Sequence, residues 1–124
     1  MKIMTVDDSK VVRLTIALTL KQAGHSVVEA ECGEEALKLL KAEKADLVIS
    51  DFNMPRMDGS QLVRAIKSDP ELQSIPVIML TTEHARQRLD EARQAGAIGW
   101  IQKPFKAEQL VAAVQKVAEK FGIT

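Results

Sequence analysis

Short apolar runs alternate along the chain with longer amphipathic stretches. The runs are rich in valine and isoleucine and carry no regular polar residue at alternate positions, which predicts strands covered on both faces. They lie at residues 2–6, 26–29, 47–50, 77–80 and 98–101. The stretches between them have apolar residues at helical spacing and end at helix stop signals. These predict helices over residues 10–23, 34–43, 60–68, 85–95 and 107–121.

Five repeats of strand and helix predict a doubly wound α/β domain. Right-handed crossovers place successive strands parallel in one sheet and the helices on both of its faces. The length of 124 residues fits one domain, and a hydrophobic content of 46% is enough for a core without disulfides or a structural metal. We therefore expect a single domain over residues 1–124.

The fourth predicted helix is mostly polar. Between residues 83 and 94, its main large apolar residue is Leu89, so we expect it to be held weakly against the core. Two interpretations stay open, an ordinary solvated helix and a movable one.

Charge and composition argue against several classes of function. Seventeen basic and seventeen acidic residues leave no net charge, which removes the long-range attraction that nucleic-acid and membrane-surface binders use. The aromatic content of 3% is too low for a base-stacking platform. No apolar run approaches the roughly 20 residues of a membrane span, and acidic residues follow the start too closely for a signal peptide. The single Cys32 cannot form an internal disulfide. We predict a cytoplasmic protein that binds neither nucleic acid nor membranes.

Polar residues gather where the predicted strands end, the edge at which open parallel sheets bind ligands. Only strand two, which ends in Glu29, is expected to contribute little. The residues after the other strands are Asp7 and Asp8, then Asp51 and Asn53, then Thr81 and Thr82, and finally Gln102, Lys103 and Pro104.

Three carboxylates at one edge repel each other and raise one another's pKa unless a cation lies among them. Asp7, Asp8 and Asp51 against Lys103 leave a formal charge of three minus one, or −2, which one divalent ion balances. Oxygen ligands without histidine or cysteine favour Mg²⁺, and Asn53 could add its main-chain carbonyl or its amide oxygen. A carboxylate beside such an ion, with a lysine and a hydroxyl facing it, predicts a phosphoryl-accepting centre that forms an acyl phosphate.

The same residues resemble a known family, the receiver domains of bacterial two-component response regulators. The motifs that carry the resemblance are VDDS at residues 6–9, DFNMPRMDG at 51–59, LT at 80–81 and KPF at 103–105. The resemblance covers the whole chain, and it implies a flavodoxin-like sheet of strand order 2-1-3-4-5 with five helices.

The resemblance also implies a role for each motif residue. Asp51 is then the residue phosphorylated by a histidine kinase, and Mg²⁺ is held by Asp7, Asp8, Asp51 and the carbonyl of Asn53. Thr81 becomes the hydroxyl switch and Lys103 the partner of the phosphate, with a cis peptide bond before Pro104.

Residues 79–83 and 99–105 most resemble the stand-alone chemotaxis regulators of the CheY type within this family. This implies a CheA-like histidine kinase as donor and a flagellar motor switch protein or another protein as target, with a phosphatase as a further candidate partner. Because the sequence ends at Thr124, we expect no output domain and a signal that is read from the domain surface. The expected output face, on helix four, strand five and helix five, includes His84, Arg88, Trp100 and Gln102.

Trp100 stands where the family often has tyrosine. Two interpretations stay open: an aromatic side chain that moves inward when Thr81 is drawn to the phosphate, and a rim residue that covers apolar surface.

Other functions also stay open. A phosphorelay intermediate, which passes the phosphoryl group to another histidine protein, has the same motifs. An aspartyl-phosphate phosphatase usually has a second aspartate two residues after the nucleophile as general acid and base, but here that residue is Asn53. A flavin or nucleotide binder lacks its glycine-rich loop after strand one. We expect no enzyme activity beyond self-phosphorylation and autodephosphorylation that depend on magnesium. Pro55 and Arg56 argue against a calcium loop, and Asp58 and Gly59 predict a turn into helix three.

Overall fold

The computed structural model describes residues 1–82 and 89–123. In these residues, strands and helices alternate along the chain. The strands are β1 (Lys2–Val6), β2 (Ser26–Ala30), β3 (Leu47–Asp51), β4 (Val77–Thr81) and β5 (Gly99–Gln102). The helices are α1 (Lys10–Gln22), α2 (Gly33–Glu43), α3 (Gly59–Ser68), α4 (Leu89–Ala95) and α5 (Ala107–Phe121). The predicted start of α4 at residue 85 lies outside the described residues, and the other predicted bounds differ from these by no more than one residue.

The strands form one parallel sheet in the order β2-β1-β3-β4-β5. This confirms the predicted doubly wound fold and its strand order. The register sets Val6 opposite Ser50, Asp51 opposite Leu80 and Thr81 opposite Gln102. The carboxyl ends of β1, β3, β4 and β5 therefore lie side by side at one edge of the sheet.

Apolar side chains cover both faces of the sheet, as the continuous apolar runs predict. On one face, Met4 and Val48 pack in a cluster with residues of α2, α3 and α4, such as Leu62. On the other face, Ile49 packs in a second cluster with residues of α1 and α5, such as Ile16. These two layers hold the central strands and fix where their ends point.

Two local features fix the start of α3. Asp58 caps the helix by accepting a hydrogen bond from the main-chain N–H of Gln61, whose side chain accepts from the N–H of Asp58. Gly59 lies so close to β3 that an added Cβ would be 2.9 Å from the carbonyl oxygen of Asp51 and 2.9 Å from Cα of Phe52. Glycine is therefore required where α3 presses against the end of β3. Asp58 and Gly59, predicted as a turn, are the N-cap and the first residue of α3.

Candidate functional site

Three carboxylates meet at the carboxyl edge of the sheet. One oxygen each from Asp7, Asp8 and Asp51 lies within 4.8 Å of the other two. Asp7 is completely buried and Asp51 is 6% exposed, whereas Asp8 is exposed. Parallel strands that end at a common edge thus bring together carboxylates from positions far apart in the sequence.

Lys103 extends from the end of β5 into this acidic cluster. Its Nζ lies 3.2 Å from Oδ1 of Asp51 and 3.3 Å from Oδ2 of Asp7. The main-chain N–H of Lys103 donates to the carbonyl of Thr81 at 2.7 Å, and the peptide bond to Pro104 is cis. Counted over the described residues, three carboxylates and one ammonium group therefore share the site, with a formal charge of −2.

Burial and the neighbouring carboxylates raise the pKa of the Asp51 carboxyl. Burial is the largest cause, followed by the negative charge of Asp7, and Asp8 adds a smaller contribution of the same sign. The charge and the hydrogen bond of Lys103 act in the opposite direction without cancelling these effects. The ionised site is electrostatically unfavourable and gains from a further positive charge.

Arg13 and Glu29 join the site from outside the set predicted from the sequence. Nη1 of Arg13 donates to the main-chain carbonyl of Asp7 at 2.7 Å, and its Nε donates to Oε1 of Glu29 at 3.3 Å. The expectation that the end of β2 contributes little is therefore wrong for Glu29.

The remaining predicted residues lie on β4, on β5 and in the loop after β3. Asn53 is exposed in the loop after β3. Thr81 is 1% exposed at the end of β4, and its Oγ1 has no hydrogen-bond partner in the part of the chain that the structure describes. On the neighbouring strand β5, Gln102 is exposed and Trp100 is 45% exposed, with the guanidinium carbon of Arg93 4.8 Å from its ring centroid.

Part of the expected output face belongs to residues that the structure does not describe. His84, Arg88 and the side chain of Leu89 lie outside the described residues. In the described part of α4, only Ala92 and Ala95 are buried, which agrees with a helix that places little apolar surface in the core.

The donor set fits a hard divalent cation. The converging groups are carboxylates, Asn53 in the loop after β3 offers oxygen donors, and no histidine or cysteine of residues 1–82 and 89–123 belongs to the cluster. Such ligands, with room left for water, suit Mg²⁺. None of the helices within residues 1–82 and 89–123 combines the length and apolar character needed to cross a bilayer.

Comparisons with known proteins agree with this site. The response regulator receiver domain family matches residues 3–115, so the chain belongs to that family. The chain is 39% identical to the chemotaxis protein CheY of Pseudomonas aeruginosa over 121 residues, which are 97% of this chain and 98% of that protein. It is 40% identical to CheY-3 of Vibrio cholerae over 121 residues, which cover 97% and 93% of the two chains.

Solved structures give the same result. Chemotaxis protein CheY4 of Vibrio cholerae matches with a TM-score of 0.89 and 39% identity, over 94% of this chain and 97% of that one. The receiver domain of a signal transduction histidine kinase from Syntrophus aciditrophicus matches with a TM-score of 0.88 and 33% identity, over 96% and 90% of the two chains. The predicted family, the fold and the function of a phosphorylation-activated chemotaxis response regulator are confirmed.

Proposed function

We propose that Asp51 accepts a phosphoryl group from a histidine kinase and that the acyl phosphate changes the surface presented to a downstream protein. The observation that carries the proposal is the cluster of three carboxylates with the ammonium group of Lys103 3.2 Å from Asp51. Among the three, Asp51 is the best acceptor. Asp7 is fully buried with both oxygens in contacts, to the N–H of Ser9 and to Lys103, whereas Asp51 lies on the central strand with one oxygen bound to Lys103.

The transfer needs few protein groups. A carboxylate oxygen of Asp51 forms a bond to phosphorus, while the bond from phosphorus to the donor histidine nitrogen breaks and its electron pair leaves with the imidazole. Lys103 is close enough to neutralise charge on the transferring oxygens. Mg²⁺, bound by Asp7, Asp8, Asp51 and the carbonyl of Asn53, would supply the remaining positive charge.

We expect Thr81 and the surface of β5 to transmit the change. The hydroxyl of Thr81 is buried and, within the described residues, makes no hydrogen bond that would have to break before it turns towards the new oxygens. Gln102 lies opposite Thr81 in the sheet, and Trp100 is two residues earlier on the same strand. The proposed output face comprises α4, β5 and α5, and the parts assigned to His84 and Arg88 stay predictions. A two-state shift of this kind needs only a few kcal/mol of difference between states.

An apolar stripe on α1 supports a protein as the phosphodonor. Val11, Leu14 and Leu18 are 75%, 48% and 59% exposed and follow one another at helical spacing. Val11 also lines a groove that reaches Lys103 and Pro104, so the stripe continues to the mouth of the site. We propose that the kinase's phosphohistidine domain packs on this stripe.

Phosphorylation of Asp51 is tested by Asp51→Asn. A small acyl phosphate such as acetyl phosphate, with Mg²⁺, should give acid-labile phosphate on the wild type and none on this variant, as measured by intact-protein mass. Asp90→Asn, which changes an 85% exposed carboxylate on α4, is the matched control and should be labelled normally. Label that persists in Asp51→Asn would overturn the assignment.

Docking on α1 is tested separately. Leu14→Ser combined with Leu18→Ser should slow phosphotransfer from the kinase at least several-fold and leave labelling by acetyl phosphate unchanged. Equal loss with both donors would mean that the substitutions damage the site itself.

The finer identities of the partners stay predictions. These partners are a CheA-like kinase, a flagellar motor switch protein as target and a phosphatase. The cytoplasmic location and the single-domain organisation also stay predictions. Because Asn53 cannot act as a general acid or base, we expect no multiple turnover on phosphate esters.

A further inference from the structure

Arg13 connects the ends of β1 and β2 beside the acidic cluster. Its side chain is only 12% exposed, with Nη1 2.7 Å from the carbonyl oxygen of Asp7 and Nε 3.3 Å from Oε1 of Glu29. Charge-assisted hydrogen bonds of this kind are shorter and stronger than neutral ones. The guanidinium is therefore a fixed part of the site, although it does not touch the three clustered carboxylates through their side chains.

The carbonyl that Arg13 binds belongs to the peptide between Asp7 and Asp8. Because a peptide unit is planar, fixing that oxygen also fixes the direction in which the chain enters Asp8. Asp7 is held in addition by its N–H, which donates to the carbonyl of Ala30 at 3.1 Å, and by its carboxylate, which accepts from the N–H of Ser9 at 2.9 Å.

Asp8 depends on this peptide for its position. It is exposed and accepts no hydrogen bond from residues 1–82 or 89–123, so its own side chain has no other fixed contact there. We infer that Arg13 is a positioning residue for the proposed magnesium site: by holding the Asp7–Asp8 peptide, it directs the Asp8 carboxylate towards Asp51. The inference rests on the proposed function, because it assumes that these carboxylates bind Mg²⁺.

Positioning and simple charge predict opposite results. Arg13 is a cation close to the cluster, so its removal would strengthen Mg²⁺ binding if only through-space repulsion mattered. If Arg13 positions Asp8, its removal weakens binding instead. Mutation of a group that orients a metal ligand without binding the metal itself typically lowers metal affinity about 10- to 100-fold.

The test is isothermal titration calorimetry with Mg²⁺ alone on unphosphorylated protein. We expect Arg13→Met to raise the dissociation constant about tenfold. Arg64→Met removes the same charge from an exposed position on α3 and should leave the constant within about twofold. Hydrogen exchange of the Asp8 and Ser9 amides without metal should speed up in Arg13→Met, because a purely electrostatic role would not loosen this loop.

Each outcome has a separate meaning. Wild-type affinity or tighter binding in Arg13→Met overturns the positioning role, while the proposed metal site stands. No Mg²⁺ binding by the wild type refutes the metal site and the inference with it. If circular dichroism shows that Arg13→Met does not fold, Glu29→Ala replaces it. This variant frees one side of the guanidinium and should weaken Mg²⁺ binding more than Glu31→Ala, a change of the same kind two residues away; equal effects would overturn the inference.

Discussion

We expect the ionised Asp51 to make the folded protein less stable in the absence of a cation, so Asp51→Asn should stabilise it. The substitution removes one negative charge from a cluster of three, and the asparagine oxygen can still accept the hydrogen bond from Lys103. The raised pKa of Asp51, which arises first from burial and then from Asp7, points in the same direction, because it means that the folded state disfavours the ionised carboxyl.

The size of the effect follows from the distances. Each of the other two carboxylates has an oxygen within 4.8 Å of Asp51 and therefore repels it by at least about 0.9 kcal/mol in a water-like medium and at least about 3.5 kcal/mol at an effective dielectric of about 20. Attraction by Lys103 at 3.2 Å is worth about 1.3 and about 5 kcal/mol in the same two limits. Two repulsions exceed one attraction by about 0.5 to 2 kcal/mol. The exposure of Asp8 favours the lower end of this range.

The assay is urea unfolding followed by circular dichroism, in a chelator and at low salt near pH 7. Asp51→Asn should be more stable than the wild type by about 0.5 to 2 kcal/mol, and Asp90→Asn should match the wild type. The advantage should be complete above the folded-state pKa of Asp51 and should disappear as the pH falls towards the unfolded value near 3.9. Mg²⁺ at about ten times its dissociation constant should add about 1.4 kcal/mol to the wild type and less to the variant.

An Asp51→Asn protein that is less stable than the wild type in the chelator would contradict this prediction. That result would mean that the Lys103–Asp51 ion pair outweighs the two repulsions. A stability gain that persists unchanged at low pH would also contradict it, because a protonated Asp51 carries no charge to remove.

Three further changes test other parts of the structure. Asp58→Ala should lower the free energy of unfolding by about 1 kcal/mol through loss of the α3 cap, with Asp58→Ser close to the wild type; equal losses in both would contradict the capping role. Gly59→Ala should cost about 1 to 3 kcal/mol, because its methyl group meets the backbone of β3, and a neutral result in urea unfolding would show that α3 can move away. Arg93→Ala should increase acrylamide quenching of Trp100, the one tryptophan in the sequence; quenching equal to that of Lys116→Ala would mean that Arg93 does not cover the ring.

The pattern of apolar residues was sufficient to predict the fold, because parallel strands are buried on both faces and the helices between them end at recognisable signals. One of the one-residue errors in the predicted bounds, at the start of β5, occurs where an apolar residue lies just outside the hydrogen-bonded ladder of the sheet. Ile98 is apolar and its N–H donates to the carbonyl of Val77, but the ladder between β4 and β5 pairs Gly99 with Ile78. A hydrophobicity pattern reports burial, so it placed the start of β5 one residue early.

The acidic cluster was also predictable, because a parallel sheet brings the carboxyl ends of its strands to one edge. The contact of Arg13 was not, since a main-chain carbonyl has no signature in the sequence and its partner Glu29 depends on the exact register of β2 against β1. From the sequence, Asp7 and Asp8 were predicted to be equivalent metal ligands. In the structure they differ, because Asp7 is buried and Asp8 is exposed.

The difference between Asp7 and Asp8 bears on how the site can gain a cation. Asp7 is buried, and its two oxygens already contact the N–H of Ser9 and the ammonium group of Lys103. Asp8 is exposed, and its carboxylate accepts no hydrogen bond from the described residues that would have to break when it binds an ion. A cation that enters beside Asp8 and Asp51 can therefore neutralise the cluster while Lys103 keeps its bridge between Asp7 and Asp51. Lys103 remains next to the acceptor oxygen, where its charge is needed when the phosphoryl group arrives.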